Sequence, residues 1–313
     1  MVEMDFINLK GIIEKYNSIV LYRHIRPDYD ACGSQLGLKH LLLENYPDKS
    51  IFTYGLENMD NPEFLEEMDN PSLDIIKNSL TIILDTSTHD RADDQSYIQG
   101  LKSLKIDHHL ESEKNTDYVF VDETASSTSE LVALLAIKNK WKINRKAASY
   151  LYAGMNTDTR NFTINSVNST TFKVLSILIE VGINLVEINR YINDISKQKF
   201  EAKHYLAINA IFKEDVAYIV LTKEIKEKLG LSTHEAKDFI YVLDSIKGID
   251  KYAFFFYEDE REGFSVSLRS HKVPIVEIAK KFGGGGHKLA CGIPKISIEQ
   301  IDEVIDLLIK AKE

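Results

Sequence analysis

The sequence predicts an α/β protein in two parts. A larger N-terminal domain is built on a mostly parallel sheet flanked by helices, and a smaller C-terminal α/β domain carries a mixed sheet. Three observations carry this reading. In the first half, short apolar runs alternate with helical patterns, the order that builds a parallel sheet covered by helices. In the second half the pattern changes to alternating or continuous apolar runs with fewer helices between them. The length, 313 residues, is too great for one ordinary core. The first domain is read as residues 1–185, a helical connector as 186–205 and the second domain as 206–313.

Taken in order, Ser18–Tyr22 reads as a buried strand ending at Arg23-His24, and a helical pattern follows from Gly33 to Glu44. Thr81–Leu84 is a second buried strand, ending at Asp85, and Leu104–Ile106 a third, ending at Asp107-His108-His109. Ser127-Thr-Ser-Glu130 is a capping-box signature opening a helix through Leu131–Ile137. A further helix over Ala147–Asn156 delivers Asp158 near its end. Beyond the polar stretch Asn184–His204, strands are expected at Val216–Leu221, Tyr252–Tyr257 and Phe264–Leu268. Helices are expected near His234–Leu243, Ile275–Phe282 and Ile298–Ala311, the last capped by Ser297 with Gln300 completing a capping box.

Composition narrows the function. A net charge of −10 excludes the broad basic face that long duplex nucleic acid requires, so a polyanionic substrate would be short and held locally. Basic residues near the motifs cluster late, at Arg269, His271, Lys272, Lys280, Lys281, His287 and Lys288. No run reaches the roughly 18 apolar residues of a membrane span, and Met1–Lys10 lacks a signal-peptide stretch. Two distant cysteines, Cys32 and Cys291, suit a reducing compartment and argue against a cysteine zinc site. The expected location is cytoplasmic.

Four segments end an apolar strand or helix with Asp or His: His24-Ile-Arg-Pro-Asp28-Tyr-Asp30, Asp85-Thr86, Asp107-His108-His109 and Asn156-Thr157-Asp158. Ligands of open α/β sheets sit outside the carboxyl ends of strands, so these loops should converge on one crevice. One His beside one Asp is ordinarily a satisfied surface pair; four such segments at strand ends reverse that reading. Carboxylates with a few imidazoles suit divalent ions of the Mn²⁺ kind better than zinc. Pro27 stiffens the first loop, Gly33-Ser34 is read as the start of the helix behind the site, and Cys32 as small packing. The glycine run Gly283–Gly286 lacks the Gly-Lys-Ser/Thr of a P-loop. With His287 after it and Ser265–Ser270 upstream, it reads as a backbone-amide cradle for phosphate or base.

These residues together resemble a known family. His24-x-x-x-Asp28-x-Asp30-x-x-Gly33-Ser34, Asp85-Thr86, Asp107-His108-His109 and Asp158 resemble the four motifs of the DHH phosphoesterases. Gly284-Gly285-Gly286-His287-x-x-Ala290-x-Gly292 resembles the signature of the DHHA1 substrate-binding domain. The Arg-Pro-Asp-x-Asp-Ala form is similar to the bifunctional oligoribonuclease and 3′-phosphoadenosine-5′-phosphate phosphatase group. One departure is visible: Asp158 is followed by Thr-Arg-Asn-Phe where Thr-Gly-Arg-Phe is expected, which leaves the role of Arg160 open but not the metal role of Asp158. The resemblance implies two Mn²⁺ ions, with Mg²⁺ or Co²⁺ as substitutes. One would be held by His24, Asp28 and Asp85, the other by Asp30, Asp85, His108 and Asp158, with Asp85 shared. It also implies phosphate-facing roles for His109, Arg269 and His287, nucleotide contacts at Gly284, Gly285 and Gly286, and a hinge at the connector. Asp107 is read as an outer residue that orients a histidine.

The expected substrates are short RNA oligonucleotides or small nucleotides, with no membrane partner and room for a homodimer. Three rivals stand beside this. A DHH-related inorganic pyrophosphatase is disfavoured because the second domain lacks a Ser-Arg-Lys-Lys motif. A phosphodiesterase of linear or cyclic dinucleotides would look much alike. A catalytically silent nucleotide sensor need not keep every carboxylate.

Overall fold

The computed structural model describes residues 6–56, 59, 61, 63–110, 115–237 and 239–312. They divide into two compact units, Met1–Asp194 and Ile195–Glu313.

The first unit runs α1 (Phe6–Glu14), β1 (Ser18–Tyr22), α2 (Tyr29–Asn45), β2 (Ser50–Thr53), α3 (Leu73–Lys77), β3 (Leu80–Leu84), β4 (Lys102–Asp107), β5 (Tyr118–Val121), α4 (Thr128–Lys138), α5 (Arg145–Asp158), α6 (Ser169–Glu180) and α7 (Leu185–Asn193). Its strands lie in the order β2-β1-β3-β4-β5, and every neighbouring pair is parallel. Parallel strands covered on both faces need apolar side chains on both, which is why β1 and β3 read as continuous hydrophobic runs. Ile19, Leu21, Ile82 and Leu84 share a core with Leu38, Leu135 and Leu151 of the larger helices. Val20, Tyr22 and Ile83 meet Ile76 and Tyr97 on the other face. The order reverses at β1, with β2 on one side and β3 on the other, so a crevice opens beyond the carboxyl ends of β1 and β3.

The second unit runs α8 (Lys197–Ile208), β6 (Ile211–Lys213), β7 (Val216–Leu221), α9 (Lys223–Leu229), α10 (Thr233–Lys237), β8 (Lys251–Glu258), β9 (Gly263–Ser270), α11 (Val276–Lys281), β10 (Gly285–His287), β11 (Ala290–Ile296) and α12 (Gln300–Lys310). The sheet order is β10-β11-β9-β8-β7-β6, mixed because β7–β8 is parallel and the other pairs antiparallel. Strand alternation shows in β8. Ala253 and Phe255 enter the core under α11 and α12, while Tyr252, Phe254 and Phe256 enter the one with α8.

Several expectations need correction. The helix behind the first loop starts at Tyr29, not Gly33, because the Asp28 carboxylate caps it by accepting from the amides of Asp30 and Ala31. At α4, Ser127 caps as expected, but Glu130 reaches back to Ser126, not to the Ser127 amide. For α12 the cap is Glu299, and Ser297 keeps only half a capping box, its amide donating to Gln300 at 2.9 Å. The helix expected over His234–Leu243 is broken into α10 and a 3₁₀ turn at Ile240–Leu243. Within 186–205, α7 buries Ile188 with the first unit's core and α8 buries Ala202 with a core of the second. Within the glycine run, Gly285–His287 form a strand paired with Ala290–Gly292.

Candidate metal centre

The crevice at the ends of β1 and β3 is where charged side chains gather. His24 follows β1, and its Nδ1 lies 2.8 Å from the carbonyl oxygen of Ile25. A carbonyl can only accept, so Nδ1 carries a proton, and in the neutral ring the lone pair is on Nε2. That Nε2 stands 3.8 Å from Asp28 Oδ1 and 3.5 Å from Asp85 Oδ2. Asp85 follows β3 in a left-handed conformation with φ 51°. From there its carboxylate also lies 3.7 Å from His108 Nε2 and 3.5 Å from His109 Nδ1.

Asp30 and Asp158 complete a second group. The N-terminal amides of α4 hold Asp30, with Thr128 N donating to Oδ2 at 2.7 Å and Ser129 N to Oδ1 at 2.9 Å. The positive end of a helix thus faces a buried carboxylate. His108 Nε2 is buried and makes no hydrogen bond, yet carboxylate oxygens of Asp158, Asp85 and Asp30 stand 3.4, 3.7 and 4.0 Å away. Asp107, with no exposed side-chain surface, accepts from both the amide and Nδ1 of His109, at 3.1 and 2.8 Å.

Electrostatics follow from the crowding. Burial pushes the Asp30 carboxyl well above its usual range, and the charges of Asp85 and Asp158 push it further. Burial, with Asp85 and Asp28, lifts Asp158 to about 7. Burial disfavours a charge on His24, but Asp28 and Asp85 outweigh it and raise the imidazole to about 10. A set of carboxylates that repel one another, offset in part by imidazoles and helix amides, is an arrangement that divalent cations would relieve. The donors fit that demand: oxygen and imidazole atoms fall within 4.8 Å of one another in the groups His24–Asp28–Asp85, Asp30–His108–Asp158 and Asp85–His108–His109.

Sequence reasoning missed three supports. Thr128 donates its hydroxyl to Asp85 Oδ1 at 3.0 Å. Ser129 meets Asp30 through its amide. Gly154 lets α5 pass close by, since a Cβ there would lie 2.1 Å from Ser129 Oγ and 2.8 Å from Asp30 Oδ1. The capping-box residues were visible, but only tertiary structure shows what they touch. After Asp158 the chain makes a left-handed turn through Arg160, Asn161 and Phe162, with φ of 47°, 58° and 62°. Asn161 N donates to Asn156 O at 2.7 Å and Phe162 N to Thr159 Oγ1 at 3.0 Å, which hold the turn.

In the second unit Arg269 lies on β9. Its Nη1 donates to Leu268 O at 2.9 Å and its guanidinium carbon lies 5.9 Å from the Tyr241 ring centre, a contact not foreseen from sequence. His287 and Gly285 are exposed on the hairpin.

A family model described as the DHH family, N-terminal domain, matches residues 18–155, and one for the DHHA1 domain matches residues 214–313. The chain belongs to the DHH family. Among curated relatives, the bifunctional oligoribonuclease and PAP phosphatase NrnA of Bacillus subtilis is 35% identical, covering 96% of this chain and 97% of its own length. A probable bifunctional oligoribonuclease and PAP phosphatase NrnA of Streptococcus mutans is 33% identical, covering 93% and 94%. A solved exopolyphosphatase-related protein from Bacteroides fragilis superposes with a TM-score of 0.84 at 29% identity, over 97% of this chain and 95% of that one. The DHH match includes the crevice residues from His24 to His109, with Asp158 just beyond its end; Arg269 and the glycine hairpin lie in the DHHA1 match.

Proposed function

We propose that this protein is a two-metal phosphoesterase that hydrolyses short oligoribonucleotides to mononucleotides and removes the 3′-phosphate of 3′-phosphoadenosine-5′-phosphate. The observation that carries the metal reading is His108 Nε2, a buried nitrogen without a hydrogen bond facing three carboxylates. His24, Asp28 and Asp85 would hold one ion, and Asp30, Asp85, His108 and Asp158 the other, with Mn²⁺ the first candidate. Ions bound there would polarise a phosphoryl group and lower the pKa of a nearby water. The chain's own residues do the rest. The Ile25 carbonyl keeps the His24 lone pair on Nε2, and the α4 amides and the Thr128 hydroxyl aim Asp30 and Asp85. Asp107 holds the His109 imidazole by Nδ1 and raises its pKa, so that the protonated ring has Nε2 to donate to a phosphate oxygen. Arg269 and His287 of the second unit would grip a nucleotide's phosphate or base. The named activities of the Bacillus subtilis and Streptococcus mutans relatives support the substrate class.

The test is an assay of purified protein with Mn²⁺ on di- to pentaribonucleotides, 3′-phosphoadenosine-5′-phosphate, pyrophosphate, cyclic di-AMP and a long single strand. Mononucleotide release from short RNA and phosphate release from 3′-phosphoadenosine-5′-phosphate are expected, with weak activity on the long strand because of the net charge of −10. Turnover of pyrophosphate or cyclic di-AMP alone would overturn the assignment.

A further inference from the structure

The chemistry above leaves a buried charge unused. Lys105 lies on β4, 5% exposed, where a strand covered on both faces ordinarily carries an aliphatic residue. Its Nζ donates to Ser87 O at 2.9 Å and stands 3.2 Å from Asp107 Oδ2. Ser87 is two residues beyond Asp85 on the segment leaving β3, and Asp107 ends β4 beside His108. One ammonium therefore ties the two neighbouring strand ends that carry Asp85 and His108. It also begins a chain, Lys105–Asp107–His109, that runs from the core to a half-exposed imidazole.

We propose that Lys105 is a positioning residue for His109, acting through Asp107. This rests on the reading that His109 meets a phosphate. Asp107 has no exposed side-chain surface, and its Oδ1 is occupied by the amide and Nδ1 of His109. Its Oδ2 faces Lys105, and a buried carboxylate oxygen with no cation or donor opposite it is expensive. Without the ammonium, Asp107 would turn toward another donor, which loosens the two-point hold on the imidazole and the direction in which Nε2 points. Outer residues that orient a working histidine are worth about 10–100-fold in activity.

A double-mutant cycle tests this on the full-length protein with Mn²⁺ and a diribonucleotide. Lys105→Met should cost about tenfold in kcat/KM in the wild-type background and nothing in the His109→Ala background. The same fold-loss in both backgrounds, or no loss in the first, overturns the proposal. In parallel, ¹⁵N NMR should show a His109 Nδ1–H protected from exchange in the wild type and lost in Lys105→Met; an unchanged signal also overturns it. If Lys105→Met does not fold, Lys105→Gln, which keeps a donor, should show a smaller loss that again vanishes with His109→Ala, and persistence of that loss counts against the proposal. An Asp85→Ala protein that kept its activity would sink the phosphoesterase centre itself, so the two failures are told apart.

Discussion

Asp85 is the residue on which the centre turns. Its backbone occupies a conformation that costs an L-residue about 1–2 kcal/mol, and from it one carboxylate reaches His24, His108 and His109. Asp85→Ala should lower kcat by at least ~10³-fold while circular dichroism shows an intact fold. Asp85→Asn should fold as well, since Asn tolerates the left-handed region, yet be inactive. Thr128→Val removes only the hydroxyl donor to Asp85 and should cost about tenfold in kcat. The raised carboxyl of Asp158 gives a pH signature. Its pKa moves from 3.8 to about 7 on folding, so the folded state binds the proton more tightly. The group thus favours folding below pH 3.8 and loses that contribution as pH rises toward 7. Urea titrations of chelator-treated protein should show stability falling by ~1–3 kcal/mol across this window. Added Mn²⁺ should reverse the fall, and Asp158→Asn should flatten it.

At the scale of elements, legibility followed burial. β1 and β7 were readable to the residue, and β3 nearly so, because strands buried on both faces carry unbroken apolar runs. The edge strands β2, β5 and β6 escaped notice, being short and partly or wholly exposed. β10 is glycine and histidine with every residue exposed, so nothing in its side chains marks a strand. The crevice residues were readable because each ends an apolar run. Their supports were not, because Thr128 meets Asp85 across 43 positions and Ser129 meets Asp30 across 99. The glycine hairpin separates packing from recognition. A Cβ on Gly284 would lie 2.1 Å from Gly292 O, whereas Gly285 has nothing within 4 Å. Gly284→Ala should therefore cost about 1–3 kcal/mol of stability. Gly285→Ala should leave the melting curve in place, so any rise in its KM reports contact with nucleotide.

At the scale of the whole molecule, the two units are expected to divide the work. The first holds the candidate metal ligands, and the second carries Arg269, braced by the Leu268 carbonyl and the Tyr241 ring. Arg269→Ala should cut kcat/KM on a diribonucleotide by roughly 10²-fold, since a guanidinium–phosphate contact supplies both charge and orientation. Bis(p-nitrophenyl) phosphate, a small activated ester, should lose much less. Equal losses on both would place Arg269 in the chemistry or in folding, and the division would have to be given up. No helix among the described residues is long and apolar enough to cross a membrane.

The left-handed turn at Arg160–Phe162 has a consequence for heat tolerance. Three successive non-glycine residues sit there in a conformation each would leave if free, held by hydrogen bonds from Asn161 and Phe162. The first stands where the family pattern leads one to expect glycine, the residue that takes such angles without strain. Arg160→Gly should therefore raise the melting temperature by about 2–4 °C, for roughly 1 kcal/mol of relieved strain in a unit of this size. Calorimetry with a parallel assay would show whether the warmer protein still turns over. If the gain in melting temperature comes with slower turnover, Arg160 is a residue this enzyme keeps at the expense of its own durability.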